Sequence, residues 1–470
     1  MPRIESLGVL HDELYRCCGR EEVIPYHRMY GKQYVLPSVT RYSAGEAEKL
    51  RVASERLDRV YRKVLRWAQR ELPDIVLIKL LGLHPAMLTA ARMEVPMHGV
   101  SRQDWILDPA GEWLKCIENN TDTPTGIPET AWLAGSVLKE RTTYRNPSAG
   151  MDQRIREAFT ELIQHYRAGG EDGDLVFSSY GDHTEDAANT RYLMERVREA
   201  GYEARYAPLE DIEIIPNEGV FHEGGRIGIW YRLYPMEYLV WDEDSEGRPI
   251  GRDVFQLMEQ GKLCIINPAQ SVITQSKGFM ALIWSLYEHG KELAASGLIQ
   301  SDEESLFTAE EADTIKTYLL PTYTTPDLFQ NCNQAYVAKG YWGREGKGTV
   351  LYDEAGMNAS PQAGDQHVAV DADSMNIVNT VDPLNAGDAM DAGDPEETAA
   401  YYNNQQKVYQ QRISMEKVRA ESEHGLVDGY LLTGVYVIGG KFAGILPRVG
   451  GLITGDLAYF CPAAVVEQVD

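Results

Sequence analysis

Residues 175 to 208 constrain the fold of this 470-residue chain more than any other stretch. The apolar run Leu175 to Asp182 (LVFSSYGD) stops at Gly-Asp, and residues Ala187 to Gly201 follow with apolar side chains at helical spacing and a glycine stop. YEARYAPL then begins another strand, so strand, helix and strand form a βαβ unit and place the chain in the α/β (α+β) class. Other segments fit the same class. Leu50, Leu57, Val60, Tyr61, Val64, Leu65 and Ala68 fall at three-and-four spacing and predict a long amphipathic helix from about Ala44 to Leu72. Glu112 to Asn120 reads as a strand that enters the turn-rich loop Thr121 to Gly126. Cys264 to Ile266 reads as a strand ending at Asn267-Pro268, with a helix from Ser276 to about His289. Tyr336 to Tyr352 reads as strand, Gly-rich turn and strand, and Gly439-Gly440 sits where a hairpin turn belongs in the segment Gly429 to Phe442.

A formal charge of −26, from 71 acidic against 45 basic residues, repels phosphate backbones and anionic membrane surfaces, so nucleic acid and membrane are not expected partners. Nucleotide binding stays open, because it needs only a few local cations and Mg2+. No run of 18 apolar residues and no signal-peptide pattern is present, which predicts an untargeted cytoplasmic protein. The six cysteines, two of them adjacent at Cys17 and Cys18, have no CxxC spacing and suggest neither a zinc site nor a disulfide framework. Residues 351–400 hold eleven Asp or Glu and no Lys or Arg. They read as a mobile acidic insertion.

The residues capable of chemistry cluster in two places. Glu118 and Asn120 are two apart on a strand, so both leave the same face and can meet one hard cation, with Asp104 as a third oxygen ligand and Arg102 beside it to hold a phosphate. Lys339 ends the strand AYVAK and precedes GYWGREGKG, whose glycines let backbone amides approach phosphate oxygens. A P-loop is excluded: five residues separate Gly340 from Gly346, Gly348 stands where Ser or Thr should be, and a strand follows.

Taken in order from about Tyr30 to Glu467, these motifs resemble the glutathionylspermidine synthase family of ATP-grasp ligases. Arg102-Gln103-Asp104 and Glu118-Asn119-Asn120-Thr121-Asp122 followed by Thr123 and Thr125 match its Arg-x-Asp and Glu-x-Asn-x-Asp patterns. YRLYPMEYL, with Arg232, Tyr234, Pro235 and Glu237, and NPAQSVITQSKGFMALIW, with Lys277, are similar to two further segments. Gly340 stands where the family commonly has Pro, Ser276 where it has Asn, and the spacing from Asp104 to Glu118 is about two residues longer than in the bifunctional bacterial synthetase.

The resemblance implies an ATP-grasp fold preceded by a Rossmann-like pre-ATP-grasp region, with an N-terminal part over 1–100, the metal-binding strands and βαβ region over 101–260, and nucleotide-binding lobes over 261–470. It implies ATP and Mg2+ as cofactors, with Asp104, Glu118 and Asn120 as metal ligands, Arg102 at the transferred phosphoryl group, and Arg448, on the closing strands of the nucleotide site, as a further catalytic cation. Lys277, Lys339 and the flap Gly343, Arg344, Glu345 and Gly346 would hold phosphates. Gln410, Gln411, Leu452 and Ile453 would border the nucleotide. Thr123 and Thr125 match positions that touch the acyl substrate, and Asp182 and Glu185 in SYGDHTED read either as groups that grip an amine or as caps of the following helix. The implied reaction activates a carboxylate as an acyl phosphate and joins it to an amine. The amidase domain of bifunctional members is absent, so hydrolysis of the product is not expected. An ATP-binding protein without ligase activity and a kinase-like ATP-grasp enzyme are the alternatives.

Overall fold

The computed structural model describes residues 3–29, 31–295, 306–361 and 401–467. Its architecture is mixed α/β with several sheets. The long helix runs Ala44–Glu71. It begins at a reciprocal cap, in which Glu46 N donates to Ser43 Oγ at 3.1 Å and Ser43 N donates to Glu46 Oε2 at 2.7 Å. Its stripe of Leu50, Leu57, Val60, Tyr61, Val64, Leu65 and Ala68 is buried, as the spacing predicts.

That helix covers one face of a six-stranded antiparallel sheet. The strand order is Tyr459–Phe460, Lys441–Gly450, Gly425–Ile438, Val100–Leu107 and Leu114–Asn120, with Lys417–Ser422 added beside Gly425–Ile438. Gly439 and Gly440 make the hairpin turn with φ of 58° and 76°. All eight residues of Val100–Leu107 are buried, so the strand is covered on both faces. Gln103 points to the helix, where its Nε2 donates to Ser54 O at 3.2 Å. Arg102 and Asp104 therefore point to the opposite face. Asp104 pairs with Glu118 but Trp105 pairs with Cys116, leaving Ile117 as the extra residue of a bulge. The bulge puts Cys116 on the helix side and Glu118 on the Asp104 side.

A second sheet carries the βαβ unit. Asp174–Ser178 lies between Arg205–Tyr206 and Gly225–Arg232 and is parallel to both, with the helix Thr184–Glu199 as the crossover. The last strand of the unit is only two residues long, shorter than YEARYAPL suggests. Cys264–Ile266 joins this sheet parallel to Gly225–Arg232. A third sheet has the order Thr322–Tyr323, Lys407–Gln411, Tyr336–Gly340 and Val350–Tyr352, all antiparallel. Ala463–Val466 runs parallel to Ser38–Ser43, tying the two ends of the chain together.

Sheet pairing joins segments distant in sequence: Val100–Leu107 pairs with Gly425–Ile438, and Cys264–Ile266 pairs with Gly225–Arg232. The helix expected from Ser276 to about His289 is present as Gly278–Ala295, with a kink at His289, and a separate short helix, Ser271–Gln275, precedes it. The break falls at Ser276 and Lys277 because Ser276 has ψ of 128°, its Oγ donates to Leu81 O, and Lys277 N donates to Tyr341 O. Most of the acidic 351–400 segment, from residue 362 onward, lies outside the described residues. Among the described residues no helix is long and apolar enough to cross a membrane.

Candidate functional site

The face of the six-stranded sheet away from the long helix is the floor of a cavity of about 300 Å3. Antiparallel rungs place side chains in rows across that floor. One rung joins Leu446, Gly434, Asp104 and Glu118, and the next joins Tyr436, Arg102 and Asn120. Gly434 gives these side chains room, because a Cβ would lie 3.0 Å from Arg102 Cδ and 3.1 Å from Leu446 O. Arg102, Asp104, Glu118 and Asn120 thus form a block of charged and polar groups on four adjacent rung positions.

Each carboxylate in the block faces a cation. Asp104 accepts from Arg102 Nε at 3.0 Å and from Arg448 Nη2 at 2.8 Å. Burial opposes ionisation of Asp104, but the two guanidinium groups hold its carboxyl below the usual carboxylate range. Glu118 Oε1 accepts from Lys277 Nζ at 3.0 Å, and Lys277 Nζ also donates to Gly343 O at 2.6 Å. Lys339 is buried, donating to Ile117 O and Gln410 Oε1 at 2.9 Å each. Burial drives its pKa down to about 8, with Lys277 adding to the effect and Glu118 opposing it.

The roof is the Gly-rich turn between Tyr336–Gly340 and Val350–Tyr352. Arg344 Nε donates to Glu237 Oε1 and Arg344 Nη2 to Thr123 Oγ1, both at 3.0 Å, so the flap is fastened to two other segments. Gly346 has φ of 72°, and a Cβ there would lie 2.4 Å from Ile453 Cγ2. The loop after the floor strands is held from below. Gln275 Oε1 accepts from Thr121 N and Asp122 N, and Asn267 Nδ2 donates to the carbonyls of Val100, Thr121 and Asp122. Asp122 forms a fully buried pair with Arg232 at 2.5 Å and accepts from Met236 N.

The residues singled out in the sequence come together with one exception. Arg102, Asp104, Glu118, Asn120, Thr123, Thr125, Glu185, Lys277, Lys339, Gly343, Arg344, Glu345, Gly346, Gln410, Gln411, Arg448, Leu452 and Ile453 all line this cavity. Asp182 is exposed and does not line it, whereas His183, Glu185 and Asp186 do. Burial pushes the Glu185 carboxyl up to about 8, with Asp186 and Glu129 adding to the rise. Gln410 is engaged on both sides of its amide, by Lys339 and by Thr322 Oγ1 at 3.2 Å.

Sequence reasoning missed Asp186, Asp456 and Arg412 as cavity residues, and the supporting roles of Gln275 and Asn267. Asp186, one residue from Glu185 at the helix start, could have been found from that position. Asn267 and Gln275 lie in the segment NPAQSVITQSK, whose motif match gave their place but not their role, and Asp456 and Arg412 carry no local signal.

The donor set fits a hard cation: two carboxylates and an amide oxygen, all oxygen. Asn120 Oδ1 is buried with no hydrogen-bond partner among the described residues, as a ligand atom awaiting a cation would be. The surrounding Lys277, Lys339, Arg102 and Arg448 suit phosphate oxygens.

The model of the glutathionylspermidine synthase preATP-grasp family matches residues 20–390. Among solved structures, a glutathione synthetase-like effector from Globodera pallida, solved in its apo form, is similar with a TM-score of 0.52 at 9% sequence identity, covering 93% of this chain and 91% of that chain. A γ-glutamylcysteine synthetase candidate from Methylobacillus flagellatus matches with a TM-score of 0.39 at 10% identity, covering 87% of this chain and 88% of that one. At 9% identity the first likeness speaks to the fold alone.

Proposed function

The chain belongs to the glutathionylspermidine synthase preATP-grasp family, and from that premise we propose that it is an ATP- and Mg2+-dependent ligase joining a carboxylate to an amine. The proposed scaffold is an ATP-grasp fold with a Rossmann-like pre-ATP-grasp region built on the parallel sheet. The observation that carries the reading is the block of Asp104, Glu118 and Asn120 on neighbouring rungs, ringed by Arg102, Lys277, Lys339 and Arg448 in one cavity.

In this reading Asp104, Glu118 and Asn120 hold Mg2+, and Lys277 and Lys339 hold nucleotide phosphates. Bound Mg2+-ATP supplies the phosphoryl group that activates the carboxylate as an acyl phosphate. Arg102 and Arg448, which meet at Asp104, neutralise charge on the transferred group. Thr123 and Thr125 face the acyl substrate, while Gln410, Gln411, Leu452 and Ile453 border the nucleotide. Gly343 to Gly346, fastened through Arg344, exclude water from the phosphates. Glu185, which lines the same cavity, binds the amine as its cation and accepts a proton at its carboxylate before attack.

The test is an ADP-release screen across a matrix of peptides, amino acids and polyamines, with mass spectrometry of the products. ADP release that needs both an acid and an amine, with a new amide, is the expected outcome. A phosphorylated product without amide would favour a kinase-type enzyme. ATP binding without turnover for any pair would favour a protein that acts through its partners.

A further inference from the structure

The adjacent cysteines do not line the cavity. Cys17 and Cys18 follow the helix His11–Tyr15 in a turn where Cys18 and Gly19 both have positive φ, 58° and 73°. The fold brings Glu140, near the end of the helix Ala134–Arg141, against this turn. One ligand atom from each of Cys17, Cys18 and Glu140 falls within 4.8 Å of the other two. No sequence spacing announces this group, because its carboxylate comes from more than a hundred residues downstream.

Arg20 organises the three groups. It is 1% exposed and is fixed by Leu14 O at 2.8 Å, Ser136 Oγ at 3.1 Å and Ser136 O at 3.1 Å. From that position it donates to Glu140 Oε2 at 2.5 Å and to Cys17 Sγ at 3.5 Å. The other carboxylate oxygen, Glu140 Oε1, pairs with Arg141 at 2.8 Å. That pair is one-third exposed on both sides, a weak surface contact that water or a metal can replace.

We propose that Cys17 Sγ, Cys18 Sγ and a carboxylate oxygen of Glu140 form a binding site for a soft divalent cation of the Zn2+ class. Two sulfur ligands and one oxygen leave one position of a tetrahedron for water. The charges close: two thiolates and a carboxylate carry three negative charges, the cation supplies two positive charges and Arg20 the third. Arg20 completes the site as its charge partner, bonded to Cys17 Sγ and to Glu140 Oε2. Both thiol protons leave to solvent on binding, so affinity rises with pH. The cation would pin the N-terminal segment to the helix Ala134–Arg141.

Cd2+ titration of the chelator-stripped chain tests this, followed by the ultraviolet thiolate-to-metal absorbance, which the oxygen ligands of the cavity cannot produce. One Cd2+ per chain with a two-thiolate band, displaced by Zn2+, is expected. Cys18→Ser, at an exposed position that leaves the fold intact, and Cys17→Ser should each weaken binding by on the order of 10- to 100-fold or more. Cys332→Ser, also exposed, should change nothing. Glu140→Gln should weaken binding by about tenfold. A band that survives in both Cys17→Ser and Cys18→Ser, or no band at one equivalent, overturns the site. Unchanged affinity in Glu140→Gln overturns the three-ligand arrangement.

Discussion

Lys277 Nζ and Glu118 Oε1 are paired at 3.0 Å, which joins a residue assigned to the nucleotide phosphates to one assigned to the metal. The pair is asymmetric: the lysine side chain is 7% exposed and the carboxylate 29%. Mg2+ and a phosphate would enter by separating them, each taking one partner. Removing Glu118 alone strands a buried ammonium whose remaining partner among the described residues is Gly343 O. From the residues alone, relief of like charge predicts unchanged or higher stability for Glu118→Ala. The observed pair reverses that expectation to a loss of about 1 kcal/mol, softened because Glu118 is partly solvated. Turnover should vanish in Glu118→Ala and in Asn120→Ala at saturating Mg2+, while far-ultraviolet circular dichroism stays native. Undiminished product in either variant would remove the metal assignment.

Lys277→Met and Lys339→Met should each weaken ATP binding by tenfold or more in calorimetry, since each deletes a charge-assisted bond to phosphate. Parent-like affinity in both would remove the nucleotide assignment.

The Lys339 ammonium, brought down to about 8 by burial, makes two pH dependences predictable. Its folded value lies below its value in the unfolded chain, so between about pH 8 and 10.5 the unfolded state binds more protons. Stability contributed by this group therefore rises with pH across that window. ATP affinity moves the opposite way, because a neutral Lys339 must take up a proton to meet phosphate. Calorimetry at pH 8.5 in buffers of different ionisation enthalpy should reveal proton uptake on ATP binding. The uptake should be lost in Lys339→Met, and its persistence there would assign it to another group.

Much of this site was legible because its residues sit in short runs with strong local logic. Glu118 and Asn120 share a face by strand periodicity, and Lys339 ends a strand before glycines. The bulge at Ile117 was not legible, since it depends on pairing with Val100–Leu107 and on no unusual residue of its own. The break before Lys277 was hidden for the same reason: Ser276 and Lys277 turn out of the helix to reach Leu81 O and Tyr341 O, partners distant in sequence. Asp182 looked equivalent to Glu185 in SYGDHTED, but the helix starts at Thr184, so Glu185 and Asp186 turn toward the cavity while Asp182 stays in the exposed turn before it. Which strands share a sheet was not legible along the chain, because strands separated by more than 300 residues are neighbours in one of them.

Glu185 supplies a second pH prediction. With its carboxyl raised to about 8 by burial and by Asp186 and Glu129, it is protonated in the folded enzyme at neutral pH and ionised in the unfolded chain. The folded state then binds more protons between about pH 4.5 and 8, so this group's contribution to stability falls as pH rises through that window. Amine affinity should rise across the same range near neutrality, because a cationic amine binds the ionised carboxylate. The KM for the amine should fall several-fold from pH 6.5 to 8.5, and Glu185→Gln should flatten the profile while leaving the KM for ATP unchanged. A flat profile in the parent enzyme would remove Glu185 from the amine subsite.

The flap is fastened by Arg344, whose guanidinium spans Glu237 and Thr123. Glu237 is 3% exposed, and burial raises its carboxyl while Arg344 opposes the rise. Loss of Arg344 leaves that carboxyl to protonate, which limits the stability cost to about 1–3 kcal/mol where a stranded buried charge would cost more. The larger consequence is geometric. Without the bond to Thr123, the turn from Gly343 to Gly348 loses its hold on the loop that follows the metal strand, and the cavity opens to water. Arg344→Ala should therefore lower kcat by on the order of tenfold or more, as removal of a charge-assisted positioning contact does. Amide exchange over residues 343–349 should accelerate in the same variant. Glu237→Gln keeps an oxygen in place to accept from Arg344 and should cost less than Arg344→Ala. A double-mutant cycle between these two changes should give a coupling energy above about 0.5 kcal/mol in ATP binding or turnover. Additive effects, with unaltered exchange over the flap, would show that the contact holds nothing that the reaction needs.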